Sequence, residues 1–89
     1  MNRTQGKVAL VTGCGSMRGI GAAIAQALAS EGAAVVVTDI REDGAAQCAA
    51  AIRDSGGKAL ALAHDVANEE QWIAVLNETA RHFGRLDIL

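Results

Sequence analysis

The 89 residues include no tyrosine, no proline, one tryptophan, one phenylalanine and two cysteines. Two thiols in a chain of this size do not make a disulfide framework. They form no Cys-x-x-Cys pair and have no histidine near them in sequence, so they do not read as metal ligands. Basic charge is also scarce: eight Lys and Arg stand against ten Asp and Glu, for a net charge of −2. With no basic cluster, binding to nucleic acid or to a membrane through a polybasic patch is excluded. No apolar run reaches the ~18 residues of a transmembrane helix. Met1 to Lys7 holds no apolar stretch of a secretory signal, so the expected location is the cytoplasm.

The residues present are mostly small and apolar: 51% are hydrophobic and ten are glycine. That is too apolar and too weakly charged for a disordered chain, and too short for more than one domain. Lys7 to Thr12 is a short β-branched run that predicts a first strand. A glycine-rich loop follows, then Ile20, Ile24, Ala27 and Leu28 recur at helical spacing up to the stop at Gly32. Ala34 to Thr38 predicts a second strand, ending at Asp39. Ala45, Cys48, Ala49 and Ile52 form a second helical stripe, closed by Ser55-Gly56-Gly57. Lys58 to Ala63 predicts a third strand. Asn68 is placed to cap a third helix whose apolar face carries Trp72, Val75, Leu76, Thr79, Ala80 and Phe83, with Gly84 as its end. Leu86 to Leu89 begins a fourth strand. Continuous rather than alternating apolar strands suit a parallel sheet covered on both faces. The order βαβαβαβ with short connections therefore predicts an α/β fold, the start of a doubly wound parallel sheet.

The glycine loop, Gly13-Cys14-Gly15-Ser16-Met17-Arg18-Gly19-Ile20-Gly21, follows a strand and opens a helix, the setting that a phosphate-binding turn requires. Glycines there allow a tight turn, close approach of the backbone to a pyrophosphate, and close packing of helix on strand. The free N–H groups and dipole of the helix then face the anion. Asp39, 18 residues past Gly21, ends strand two, where an acid can accept hydrogen bonds from a ribose. Asp65 and Val66 follow strand three on the same carboxyl edge. Each acid alone also fits a plain strand-end or turn-forming residue. It is their combination with the loop that carries the reading.

Val11-Thr12-Gly13, Gly19-Ile20-Gly21, Asp39, Asp65-Val66 and Phe83-Gly84-Arg85-Leu86-Asp87-Ile88-Leu89 together resemble the short-chain dehydrogenases/reductases, and the resemblance spans the whole chain. It implies a Rossmann-type fold and a nicotinamide dinucleotide. The backbone of Gly13, Gly15, Ser16, Arg18, Gly19, Ile20 and Gly21 would hold the pyrophosphate. Asp39 and Ile40 would meet the adenosine ribose, and Asp65 and Val66 would line the adenine pocket. Asp39 repels a 2′-phosphate and so favours NAD. Arg18 and Arg41 are the residues through which NADP would pair instead. The family usually spaces its loop Thr-Gly-x-x-x-Gly-x-Gly, whereas five residues separate Gly13 from Gly19 here. Either Gly13 ends the strand and Cys14 to Arg18 bulges outward, the expectation adopted, or Gly15 takes the first-glycine role.

The family's Asn-Asn-Ala-Gly segment, Ser and Tyr-x-x-x-Lys pair have no counterpart among these residues, so no catalytic residue is assigned and this segment alone is expected to be inactive. The expectation is an N-terminal half-domain, residues 1–89, of a longer single-domain oxidoreductase that acts on an alcohol or ketone, with a 3-oxoacyl thioester as one substrate class. A homo-oligomer, tetramer or dimer, is implied by resemblance only. The alternatives are an S-adenosylmethionine methyltransferase fragment, disfavoured by the lack of an acid in the first loop, and a non-catalytic nucleotide-sensing protein. Among the remaining residues, Cys14 reads as a small loop filler, with an activated thiol at the helix start as the sharper option. Cys48, Trp72 and Phe83 read as core, His64 as bordering the pocket, and His82, Glu69 and Glu70 as solvated helix ends.

Overall fold

The computed structural model describes residues 6–14, 19–84 and 86–87. Strand and helix alternate as β1 (Val8–Val11), α1 (Ile20–Ser30), β2 (Ala34–Asp39), α2 (Glu42–Asp54), β3 (Lys58–Ala63) and α3 (Glu69–Phe83). Each helix carries the chain back to the starting end of the sheet, so the strands pair in parallel, in the order β1-β2-β3. Val8 lies beside Ala34, and Ala34 beside Lys58.

The two faces of the sheet divide the strand residues by parity. Val35 and Val37 point into a core shared with Ala22 and Ala25 of α1 and with Cys48, Ala49 and Ile52 of α2. Leu10 and Val36 point the other way, against Val75, Trp72 and Phe83 of α3. Both faces are covered, which is why the strands read as unbroken apolar runs. The α2 stripe predicted from sequence is buried in full. Asn68 caps α3, its Oδ1 accepting from Gln71 N–H at 3.1 Å, and Gly84 follows as the C-cap.

Two helices turn differently from their sequence pattern. In α1, Ile20 is 81% and Ile24 47% exposed, whereas Ala22 and Ala25 are wholly buried. The helix lies so close to the sheet that only small side chains fit between them. The larger ones turn to the outer side of β1, where Ile20, Ile24 and Leu28 form a groove of about 350 Å³ with Leu10, Val11 and Trp72. In α3, Val75 and Thr79 are buried as expected, but Leu76 and Ala80 lie on the exposed side.

The predicted fourth strand is described at Leu86 and Asp87 only. Those two residues form no strand element, yet Asp87 docks on β1. Asp87 N–H donates to the Val8 carbonyl at 2.9 Å, and Val8 N–H donates to Asp87 Oδ2 at 2.9 Å. Ile88 and Leu89 lie outside the described residues.

Candidate functional site

The parallel strands bring the glycine loop, Asp39 and Asp65 to one edge of the sheet, and backbone bonds join the three connections there. Cys14 N–H donates to the Thr38 carbonyl at 2.9 Å, and His64 N–H to the Asp39 carbonyl at 2.8 Å. Gly13 leaves β1 with φ +72°, a left-handed conformation that side chains disfavour. Gly21 serves a different need. A Cβ on it would stand 2.5 Å from the Gly13 carbonyl oxygen and 2.9 Å from that of Thr12. Gly21 thus holds the start of α1 against the end of β1.

The helix that begins there is left open to an anion. Its N-cap, Gly19, makes no side-chain cap bond, and its first turn holds no acid. By contrast, α2 opens with Glu42 and Asp43, and α3 with Glu69 and Glu70 behind the Asn68 cap. Among the described residues, α1 is therefore the helix start whose N–H groups and dipole suit a phosphate. Gly15, Ser16 and Arg18 lie outside the described residues, and with them the choice between Gly13 and Gly15 as first glycine.

Cys14 departs from the expected outward bulge. It is wholly buried in the core that α1 and α2 share, as a filler, and its thiol donates to the Val11 carbonyl at 3.3 Å. Burial and the neighbouring Cys48 thiol push its pKa up to about 12, opposite to the activation that a helix start supplies. The tight junction of loop and strand pulls the side chain inward.

Asp39 stands at the end of β2, its side chain 16% exposed. Its Oδ1 accepts from Arg41 N–H at 2.9 Å and lies 3.9 Å from Arg41 Nε. Asp65 begins the next connection. Its Oδ1 accepts from Ala67 N–H at 3.0 Å, the Asx-type turn of the plainer reading, while its N–H donates to Gln71 Oε1 at 2.6 Å. Beside the two acids, Ile40 and Val66 are 69% and 55% exposed, apolar side chains turned to solvent at adjacent strand ends.

His64 is buried, with Nδ1 3.2 Å from Thr38 Oγ1. Its ring meets Trp72 edge to face at 4.2 Å. Trp72 does more than fill the core, because its indole N–H donates to the Val66 carbonyl at 2.7 Å. Gln71, Thr38 and this N–H went unread in the sequence. The Asn68-x-x-Gln71 spacing of a capping box was the available signal, and the glutamine turns outward from it onto Asp65. A cavity of about 440 Å³ at the opposite edge, lined by Lys7, Gly32, Gly57 and Lys58 among others, holds none of the residues predicted for the site.

These features fit a dinucleotide: a glycine turn that a Cβ would block, an uncapped helix start for phosphate, an acid at the next strand end, and exposed aliphatic side chains for a flat ring. Among the described residues, no helix is long and apolar enough to cross a membrane, and no three His, Cys, Asp or Glu side chains gather as a metal site.

Comparison with known proteins agrees. Residues 7–89 match the family described as short chain dehydrogenase. Elsinochrome reductase 1 of Elsinoe fawcettii is 50% identical over 88 residues, covering 98% of this chain and 32% of that protein. The cis-4-hydroxycyclohexanecarboxylate dehydrogenase of Sinomonas cyclohexanicum is 48% identical over 83 residues, covering 93% of this chain and 32% of the relative. The crystal structure of a hydroxysteroid dehydrogenase from Escherichia coli superposes with a TM-score of 0.93 at 39% identity, over 98% of this chain and 36% of that one. The chain thus spans about a third of the length of these relatives. Nothing in these matches supports the methyltransferase alternative. On this sequence match, with the parallel βαβαβα frame and the glycine junction beneath it, the chain belongs to the short-chain dehydrogenase family.

Proposed function

We propose that residues 1–89 are the N-terminal, cofactor-binding portion of a longer single-domain oxidoreductase. That enzyme moves a hydride between a nicotinamide dinucleotide and an alcohol or ketone. The observation that carries this reading is the junction of Gly13, Gly21 and α1: the one described helix start left uncapped and free of acid stands beside the strand end that bears Asp39. In this reading the α1 N–H groups hold the pyrophosphate, with Gly13, Gly15, Ser16, Arg18, Gly19, Ile20 and Gly21 around it. Asp39 and Ile40 meet the adenosine ribose, and Asp65 and Val66 border the adenine. When bound, the nicotinamide supplies the hydride chemistry. The residues described here bind and orient, and proton transfer falls to the later part of the full-length protein.

NAD is the preferred cofactor in this proposal. The Asp39 carboxylate accepts hydrogen bonds from a free 2′-hydroxyl and repels a 2′-phosphate. Arg41, whose side chain is 67% exposed, is the nearby cation that an NADP-binding form would use. Titration of the full-length protein is expected to give tighter binding of NAD than NADP. Asp39→Ala removes a charged acceptor, and about a tenfold or greater narrowing of that preference is expected. Equal affinities in the unsubstituted protein would overturn the assignment. A panel of secondary alcohols, ketones and 3-oxoacyl thioesters then tests the substrate class, and sedimentation tests the proposed tetramer or dimer.

A further inference from the structure

Asp65 and Val66 lie beyond the last residue of β3, and the groups that hold them come mainly from α3. Asp65 N–H donates to Gln71 Oε1 at 2.6 Å, and the Val66 carbonyl accepts from Trp72 Nε1 at 2.7 Å. Within the turn, Asn68 N–H donates to the Asp65 carbonyl at 2.9 Å. Both backbone groups would otherwise turn to water, leaving the loop free to take other conformations. Gln71 is exposed, so neither fold nor burial requires its side chain to reach back over Asp65.

Trp72 is held in turn from beneath. His64 is 2% exposed and stands perpendicular to the indole at 4.2 Å, with an interplanar angle of 88°. Its Nδ1 pairs with Thr38 Oγ1, while its Nε2 is buried with no hydrogen-bond partner. The perpendicular contact packs the imidazole and the indole against each other as an aromatic pair. Thr38 also accepts Cys14 N–H through its carbonyl and immediately precedes Asp39. One chain of contacts therefore runs from the glycine loop through Thr38, His64 and Trp72 to Val66.

We propose that Gln71 and Trp72 are positioning residues that set the Asp65–Val66 loop for the adenine end of the cofactor, with the buried His64–Thr38 pair as their anchor. The proposal rests on the dinucleotide reading above and deepens it. Neither side chain need touch the ligand, because each acts through the loop backbone.

The test uses the full-length protein and four probes: ADP-ribose, nicotinamide mononucleotide, NAD and NADP. Gln71→Met removes the acceptor at an exposed position. Trp72→Phe keeps a ring for His64 but removes the N–H. Each is expected to weaken ADP-ribose binding about fivefold, the size of one lost hydrogen bond. The KM for the dinucleotide is expected to rise to match, with kcat within about twofold and inhibition by nicotinamide mononucleotide unchanged. Gln71→Glu keeps an acceptor at that position and is expected to recover most of the affinity. Unchanged ADP-ribose affinity in Gln71→Met and Trp72→Phe would overturn the proposal. So would a loss of kcat and melting temperature in proportion to the loss of affinity. If the unsubstituted protein binds none of ADP-ribose, NAD and NADP, the dinucleotide reading itself fails and takes the proposal with it.

Discussion

Asp39 and Asp65 are held in different ways. Asp39 ends a strand and shares its carboxylate with the backbone and guanidinium of Arg41, whereas Asp65 folds its carboxylate back into its own turn. Two buried side chains beneath them respond to pH in opposite directions. Burial lowers the pKa of His64 from its ordinary 6.5, opposed by the charge of Asp65. Between the lowered value and 6.5, the unfolded chain takes up a proton that the folded chain refuses. Stability from this group is thus complete above 6.5 and is lost as pH falls below it. Cys14 is shifted the other way, from 9.0 up to about 12, so the folded chain keeps a proton that the unfolded chain releases. Stability then declines as pH rises above 9.0. Thermal melts of the full-length protein across pH are expected to be most stable between about pH 7 and 9 from these two groups. His64→Gln is expected to flatten the acid side of that profile. An acid limb unaltered in His64→Gln would contradict the assignment.

At the scale of the element, the contact between α1 and β1 decides how the site is built. The predicted stripe Ile20, Ile24, Ala27 and Leu28 has the right period for a helix, but of the four only Leu28 packs against the core beneath α1, and the other three are exposed. Ala22 and Ala25 take that place because Gly21 draws the helix in to where a Cβ would strike the Gly13 carbonyl. Gly21→Ala must push α1 off the end of β1, at a cost of about 1–3 kcal/mol for an overpacked contact. The expected outcome is a lower melting temperature together with at least about a tenfold loss of dinucleotide affinity, since the N–H groups that face the phosphate move with the helix. Native affinity in Gly21→Ala would show that the junction does not place the ligand. Other elements were legible directly. The third strand and its end, the Asn68 cap and the α2 stripe follow from short-range rules of run length, capping and periodicity. Which side of α1 and α3 faces inward depends on how closely each helix approaches the sheet, and no local pattern carries that distance.

At the scale of the whole molecule, the outer side of β1 is where apolar surface collects. Ile20, Ile24, Leu28 and Trp72 border a groove there, and Asp87 is already bonded to Val8 on that side. Ile73 and Leu76 add further exposed aliphatic surface on α3. A patch of this kind favours association when nothing covers it. Residues 1–89 expressed alone are therefore expected to aggregate, or to bind a dye such as ANS and melt without a sharp transition. A cooperative, monomeric melt would contradict this. In the full-length protein the same surface is expected to be protected, which hydrogen exchange at β1 amides would report.

The order of strands and helices, the buried runs, the glycine turn and the acids at successive strand ends were all decided by the sequence itself, because each rests on residues close together in the chain. Tertiary structure alone decided the rest. It turned Cys14 into the core and raised its pKa. It set Gly21 against the Gly13 carbonyl. It also linked Thr38, His64, Trp72 and Val66 into one support for the loop that carries Asp65. These outcomes depend on how α1, α2 and α3 pack on β1, β2 and β3, an arrangement that exists only once the parallel sheet has formed and both of its faces are covered.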